Sequence, residues 1–258
     1  MQDVLATASG AIVGLVLGLV GGGGSILAVP LLVYIVGVSS PHVAIGTSAI
    51  AVALSAATNL VGHARMGHVK WRCALVFAAA GSVGAAIGST LGKNFDGDKI
   101  LLLFGVLMIV VAALMHLRRN PDGDPFIQLT TSNAKTLLPN LVFYGVGAGL
   151  LSGFFGIGGG FLIVPGIIAA TGMPLVFAIG SSLVCIAIFG LTTASNYALS
   201  GLIDWVLVFW FVVGGIFGGF VGQWAVSYLT DKENLLSHAF STIVAAVGAY
   251  IVWQGFAA

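Results

Sequence analysis

Two glycine-rich segments are the parts of this sequence best suited to bind a ligand. The first reads GGGGSILAVP from Gly21 to Pro30, and the second reads GIGGGFLIVP from Gly156 to Pro165. Each glycine destabilises a helix by about 1 kcal/mol relative to alanine, so both runs should interrupt a helix that passes through them. A helix that restarts after such a break carries unpaired N–H groups and the positive end of its dipole, which together bind anions.

Polar side chains that could complete an anion site lie on the apolar span after each break. Ile45-Gly46-Thr47-Ser48 in the first half corresponds to Ile179-Gly180-Ser181-Ser182 in the second. Hydroxyl and amide groups can satisfy an anion's oxygens without a fixed charge. The predicted substrate-binding residues are Gly22, Gly23, Gly24, Ser25, Thr47, Ser48, Asn59, Gly158, Gly159, Gly160, Ser181, Ser182 and Asn196.

Close packing of helices is the alternative explanation for all of these residues. Small residues let transmembrane helices approach one another, and hydroxyl and amide groups form hydrogen bonds between them. Packing explains scattered glycines well, but it explains a duplicated glycine run less well. Asn59 and Asn196 are the weaker candidates because they do not share the spacing of the repeat.

The composition is that of an integral membrane protein. Hydrophobic residues make up 59 % of the chain and charged residues 7 %, against about 25 % charged residues in soluble domains. A net charge of +1 gives no reason to expect nucleic acid as a partner. The cysteines Cys73 and Cys185 are expected to be buried thiols, and Met1-Gln2-Asp3 lacks the basic start of a cleavable signal peptide.

The apolar spans repeat the same plan in the two halves of the chain. The sequence predicts an all-α membrane protein with two homologous halves, each a glycine-broken helical hairpin plus three transmembrane helices, or eight to ten helical segments in all. Residues 1–117 form the first repeat, residues 118–140 a polar cytoplasmic linker and residues 141–258 the second repeat. Gly84, Gly88 and Gly92 predict a close helix contact.

Length suggests that the second half is inverted relative to the first. The stretch from Val4 to Val36 has 33 residues and would be about 50 Å long as one straight helix, against a hydrocarbon core of about 30 Å. A hairpin followed by three spans crosses the membrane an odd number of times, which would invert the second copy. In the inverted arrangement, seven Lys and Arg residues lie on the cytoplasmic side and two on the outer side. In the parallel arrangement six lie inside and three outside, so the parallel arrangement stays open as an alternative.

The distribution of charge favours an anionic ligand. All eight acidic residues lie in predicted loops or at span ends, so a carboxylate cation site or a buried proton relay of acids is unsupported. His63 and Arg65 border the second span and are candidates for a cytoplasmic entrance, with a role in setting topology as the alternative. No nucleotide-binding, metal-ligand or nucleophile motif is present, so no enzymatic activity, catalytic residue, metal or cofactor is predicted.

The combination of motifs resembles a known family. The duplicated glycine break leading into Val-Pro, the Ile-Gly-Thr-Ser segment and the His-x-x-x-Gly-x-Val-x-Trp stretch from His63 to Trp71 are similar to the sulfite exporter TauE/SafE family. The wider class is the toluene sulfonate uptake permeases. The resemblance covers essentially the whole chain and implies a bacterial inner-membrane carrier for sulfite, sulfoacetate, sulfolactate or related sulfonates, in either direction.

The second half departs from the family pattern at one end. Tyr197 stands where His63 would match, and Asp204 replaces Lys70, so a basic entrance on both faces is not expected.

The sequence as a whole predicts a secondary transporter of small sulfur-containing anions. The anion would be held by the helix N-termini at the two breaks and moved across the inner membrane by alternating access. Its expected partners are the small anion and the lipid bilayer, with a homodimer considered as an assembly. Two alternatives remain open, namely a passive channel for small anions or neutral solutes and a membrane scaffold without transport activity.

Overall fold

All regular structure in the described part of the chain is helical. The computed structural model describes residues 1–117, 127, 129–130, 133–156, 160–229 and 233–257. The helices are α1 Gln2–Val20, α2 Ala28–Pro30, α3 Pro41–Arg65, α4 Trp71–Lys93, α5 Gly97–Leu117, α6 Ala134–Phe155, α7 Gly160–Thr171, α8 Leu175–Ala198, α9 Trp205–Leu229 and α10 Glu233–Ala257. The predicted all-α fold is confirmed.

Within the described residues, seven helices are long and apolar enough to cross a membrane. They are α1, α3, α4, α5, α6, α8 and α9, and shorter apolar stretches cover Gly22–Ile35, Gly160–Thr171 and Ser241–Gly255. Large apolar side chains such as Phe143, Phe217 and Trp224 point outward and are exposed, as expected of a surface that faces lipid. The chain therefore has the architecture of a multi-pass membrane protein.

The chain turns back on itself at the first glycine run. A Cβ atom on Gly24 would lie 2.6 Å from the nitrogen of Leu17 and 2.8 Å from the oxygen of Val13. If α1 continued straight, these two atoms would be about 10 Å and about 16 Å away, because each helical residue adds about 1.5 Å. The predicted hairpin bend thus lies at Gly21 to Ser25, hereafter the first break.

The first break differs in detail from the interruption that the sequence predicted. Gly21–Leu27 forms a 3-10 helix, followed by the single turn α2 and a π-helical turn at Leu31–Ile35. In a 3-10 helix each N–H bonds three residues back, so fewer donors stay free than a complete gap would leave. The glycine run predicts that α1 ends, but it does not predict the 3-10 winding within the bend or the π-helical turn after it.

The second break, from Gly156 to Gly160, begins with a left-handed glycine cap. Gly156 has φ 68°, and its N–H bonds to the carbonyl of Ser152 at the end of α6. Glycine adopts this conformation without the penalty that a Cβ brings. Helix α7 starts at Gly160, while the predicted site residues Gly158 and Gly159 lie outside the described residues.

Glycines on one side of α1 pack against α9, and glycines on one side of α4 pack against α6. Each contact joins the first helix of one half to the third long helix of the other half. On α1, a Cβ on Gly10, Gly14 or Gly18 would overlap backbone atoms of α9. On α4, a Cβ on Gly84, Gly88 or Gly92 would lie under 3 Å from backbone atoms of α6. The predicted close contact at Gly84, Gly88 and Gly92 is therefore confirmed, and the contact is made between halves.

Helices that correspond in sequence pack against each other in opposite directions. Near the start of α3, Gly46 contacts Leu202, which follows α8, and near the start of α8, Gly180 contacts His68, which follows α3. Helices α5 and α10 show the same pattern, since Gly105 faces the backbone of Gly248 while Gly255 faces the side chain of Leu102. Each pair is antiparallel.

Candidate functional site

The two breaks meet at a direct contact between two glycine backbones. A Cβ on Gly22 would lie 2.6 Å from the carbonyl carbon and 2.7 Å from the Cα of Gly160. A Cβ on Gly160 would in turn lie 2.6 Å from both the carbonyl carbon and the Cα of Gly22. No side chain fits between them, so the structure brings together two segments that are 138 positions apart (from 22 to 160).

Buried hydroxyl groups line both breaks. Ser25 Oγ donates to the carbonyl of Gly22 at 2.9 Å. Ser48 Oγ lies 2.9 Å from the carbonyl oxygen of Ile45 and 3.2 Å from that of Gly156, so it links α3 to the second break. Of the predicted residues, Ser25 and Ser48 lie at the breaks, and Gly23 and Gly24 are buried in the first break.

Ser182 takes the position that corresponds to Ser48. Its Oγ donates to the carbonyl of Ile179 at 2.7 Å, which repeats the bond from Ser48 to Ile45 in the other half. Both serines are fully buried near the starts of their helices. The repeat in sequence is thus also a repeat in local hydrogen bonding.

Thr47 and Ser181 each accept a hydrogen bond from a loop of the opposite half. The N–H of Asp204 donates to Thr47 Oγ1 at 3.0 Å, and the N–H of Lys70 donates to Ser181 Oγ at 2.9 Å. Each hydroxyl accepts from the residue that precedes α9 or α4, so it fixes where that helix starts. These bonds agree with the packing explanation for this pair of residues.

Asn59 and Asn196 both form hydrogen bonds between helices. Gln223 Nε2 donates to Asn59 Oδ1 at 2.8 Å and to its backbone oxygen at 2.9 Å. Asn196 Nδ2 donates to Ser89 Oγ at 2.6 Å, and its Oδ1 accepts from Lys93 Nζ at 2.6 Å. The two asparagines thereby connect α3 to α9 and α8 to α4.

The two asparagines contact corresponding positions on α9 and α4, although the asparagines themselves are not separated by the offset of the repeat. Ser89 and Gln223 are 134 residues apart, which is the offset of the repeat, whereas Asn59 and Asn196 are 137 apart. The three extra residues are nearly one helical turn, so both side chains still reach corresponding positions on α4 and α9. Matching by offset alone missed Gln223, Ser89 and Lys93 as the partners.

Basic and aromatic side chains gather where α3 ends and α8 begins, hereafter the basic end. His63 is 5 % exposed, and its ring centroid lies 5.8 Å from that of His68. His68 meets the ring of Phe177 edge-on at 6.3 Å, and Lys70 Nζ lies 4.3 Å from the centre of that ring. Arg65, the other predicted entrance residue, is exposed.

The opposite end of the α3–α8 pair is chemically different. Tyr197, at the position that corresponds to His63, is fully buried. Its Cβ lies 3.0 Å from the place where a Cβ on Gly46 would stand. Asp204, which corresponds to Lys70, caps α9 by accepting from the N–H groups of residues 206 and 207. The two ends of the α3–α8 pair therefore carry different side chains at positions that correspond in the sequence repeat.

The site holds no cluster of metal ligands in the part of the chain that the structure describes. Among those residues, no group of three or more His, Cys, Asp or Glu side chains could hold a metal ion. Among the helices with described side chains, the acidic residues Asp3 and Asp98 lie in first turns. The buried hydroxyls at the breaks, Ser25 Oγ and Ser48 Oγ, donate to backbone carbonyl oxygens.

Comparisons with known proteins agree with this architecture. The family model for sulfite exporter TauE/SafE proteins matches residues 6–251. A probable membrane transporter protein of Xylella fastidiosa (strain 9a5c) is 48 % identical over 258 residues, which cover 100 % of this chain and 98 % of the relative. The probable membrane transporter protein YunE of Bacillus subtilis (strain 168) is 24 % identical over 278 residues, with 99 % of each chain covered.

A further relative matches a shorter part of the chain, and no solved structure matches the chain. A probable membrane transporter protein of Haemophilus influenzae is 30 % identical over 199 residues, which cover 74 % of this chain and 72 % of the relative. The first two relatives and the family match extend over both breaks and both sets of spans. The chain belongs to the sulfite exporter TauE/SafE family of membrane transporters.

Proposed function

We propose that this protein is a secondary transporter that carries small sulfur-containing anions, sulfite or organosulfonates, across the bacterial inner membrane by alternating access. The observation that carries the proposal is the backbone contact between Gly22 and Gly160. It lies where the two halves meet, beside the buried hydroxyls of Ser25 and Ser48. Discontinuous helices that meet at a repeat interface are the usual location of a transporter's substrate site.

The helix contacts support inverted halves. An operation that exchanges the halves must exchange α3 with α8 and α5 with α10, and each of these pairs packs antiparallel. A two-fold axis that relates antiparallel neighbours is perpendicular to both, so it lies in the membrane plane when the helices cross the membrane. The same axis exchanges the α1–α9 contact with the α4–α6 contact. Such an arrangement lets one binding site face either side in turn.

The chemistry of the breaks supports an anionic substrate. Helix α7 begins at Gly160, so its first N–H groups and the positive end of its dipole lie at the contact with Gly22. The oxygens of a sulfur oxyanion accept hydrogen bonds from such N–H groups and from hydroxyls. No described helix carries an acidic residue beyond its first turn that would repel the anion.

The contact between the breaks favours a carrier over a channel. Two backbones in van der Waals contact leave no opening between Gly22 and Gly160. A carrier keeps its path closed on at least one side of the site in every state, whereas a channel needs a continuous path when it conducts. The passive channel is the competing function, and kinetics separate the two because carrier flux saturates and is stimulated by substrate on the opposite side.

A thermal-shift screen of the purified protein tests the proposed substrate class. The additions are sulfite, thiosulfate, sulfate, sulfoacetate and taurine. A bound anion at 100 times its Kd adds about 2.7 kcal/mol of stability, or about 5–10 °C for a chain of this size. Saturable, trans-stimulated flux of the binding anion in proteoliposomes completes the test. Absence of a shift with every addition contradicts the proposal, and linear flux supports the channel.

A further inference from the structure

The histidine pair at the basic end has buried nitrogen atoms without a hydrogen-bond partner among the described residues. Within the described part of the chain, neither ring nitrogen of His63 has a hydrogen-bond partner, and the same holds for Nδ1 of His68. The two rings lie 5.8 Å apart between centroids. Burying such polar atoms without partners is costly, so a site that keeps three of them together is suited to a ligand.

The charged surroundings of the pair are basic. Arg65 lies on the same helix, and the loop after it carries Lys70 beside His68. The start of α4 adds Arg72 and Cys73, and α8 adds Cys185. At this end, α9 contributes the neutral side chain of Gln223, and no acidic residue is present among the described residues of these elements. A proton on the pair would therefore be repelled by its neighbours unless an anion bound with it.

We propose that His63 and His68 form an anion-binding subsite that takes up one proton together with the transported anion. The inference rests on the proposed function. A neutral imidazole has one donor and one acceptor nitrogen, whereas a protonated imidazole donates from both. Protonation therefore supplies a further donor to the anion's oxygens, and the anion compensates the buried positive charge. Each ligand raises the affinity for the other, as thermodynamic linkage requires.

The subsite lies next to the predicted substrate residues of α8. The backbone of His68 contacts Gly180, and the N–H of Lys70 bonds to Ser181 Oγ. Helix α8 starts at Leu175, so its positive dipole end also lies at the basic end. An anion between the histidines and the start of α8 would thus meet donors from two elements of opposite halves.

Only one of the two equivalent ends can bind this proton. The positions that correspond to His63 and His68 are Tyr197 and Leu202. A phenol titrates near pH 10, and a leucine does not titrate, so neither takes up a proton near neutral pH. The proton linkage should therefore belong to the basic end, and Tyr197 provides a matched control position.

Anion binding measured as a function of pH tests the subsite. Thiosulfate is the probe because it stays fully ionised between about pH 6 and pH 8, the range in which an ordinary histidine titrates. With one linked proton, the Kd of the full-length protein should rise by about tenfold per pH unit above the pKa of the pair. Calorimetry in buffers of different ionisation enthalpy should show about one proton taken up per anion.

The variants His63→Gln and His68→Gln should remove this pH dependence and the proton uptake, because an amide hydrogen-bonds but does not titrate near neutral pH. Tyr197→Phe should retain both. Thermal unfolding without anion checks that each variant is folded, and His68, at the loop, is the safer substitution if His63→Gln unfolds.

Three results overturn the inference and differ from one another. A wild-type Kd that does not change with pH, or an unchanged slope in both histidine variants, removes the proton linkage and leaves the proposed transport function standing. Loss of the slope in Tyr197→Phe removes the assignment to one end. Absence of binding for thiosulfate, sulfite, sulfate, sulfoacetate and taurine at every pH removes the proposed function together with the subsite.

Discussion

Replacing Gly160 with alanine is expected to separate the two breaks and to slow transport strongly. The new Cβ would overlap the carbonyl oxygen of Gly22 and would lie 2.6 Å from the carbonyl carbon and Cα of that residue. Ordinary Cβ contacts begin at 3.4 Å, so the two backbones must move apart by at least the difference of 0.8 Å. Backbone atoms cannot rotate away as a flexible side chain does, so the breaks themselves must shift.

The cost to folding should be small compared with the cost to transport. Overpacking a tight contact costs about 1–3 kcal/mol, and Gly160 is the first residue of α7, where the gain from replacing a helix-interior glycine by alanine does not apply. The loss of stability is therefore about 1–3 kcal/mol, small against a typical total of about 5–15 kcal/mol, so the protein should stay folded. A shift of about 1 Å in a binding geometry can reduce turnover by about 100-fold, so anion flux should fall by about 10- to 100-fold.

Flux in proteoliposomes and thermal unfolding of the same preparations measure the two effects. Gly22→Ala should behave like Gly160→Ala because the contact is reciprocal. Gly147→Ala on α6 is the matched control, since its new Cβ would have no heavy atom within 4 Å. It should retain flux and stability. Wild-type flux in Gly160→Ala, or an equal loss in Gly147→Ala, would refute the reasoning.

Three further substitutions test the packing of the site. Gly88→Ala places a Cβ 2.9 Å from Leu150 C and Phe154 N, so thermal unfolding should show a loss of about 1–3 kcal/mol, and an unchanged Tm would contradict the close contact. Thr47→Val leaves the N–H of Asp204 without its acceptor and should cost about 1–3 kcal/mol, whereas an altered anion affinity in the thermal-shift screen would show that Thr47 binds substrate. Asp204→Ala removes the N-cap of α9 and should cost about 0.5–2 kcal/mol, most of which Asp204→Asn should restore.

The repeated apolar pattern was sufficient to predict the spans and the bend at the first break. Long apolar runs have few alternatives in a bilayer, where backbone groups must bond within a helix. The sequence did not predict the 3-10 and π-helical turns between Gly21 and Ile35, because a glycine run allows several windings equally. Contacts with α1 and α7 select one of them.

The polar residues were harder to predict than the backbone. Thr47 and Ser181 were recognised as a pair, but their partners Asp204 and Lys70 lie in loops of the opposite half, which sequence spacing does not bring together. His68 was overlooked although it lies within the His63–Trp71 motif, because only folding places its ring beside His63. Local pattern identifies candidate groups, whereas tertiary packing decides which of them meet.

The pairing of α1 with α9 has a consequence for how the chain is made. Gly10 contacts Phe211, which lies about 200 residues further along, and a ribosome adds about 5–20 residues per second. About 10–40 s therefore pass between the synthesis of the glycine face of α1 and the synthesis of the α9 residues that it contacts. During that interval lipid must cover the face, and a chain cut after α8 would keep it uncovered by protein. Assembly of the first helix is thus completed near the end of synthesis.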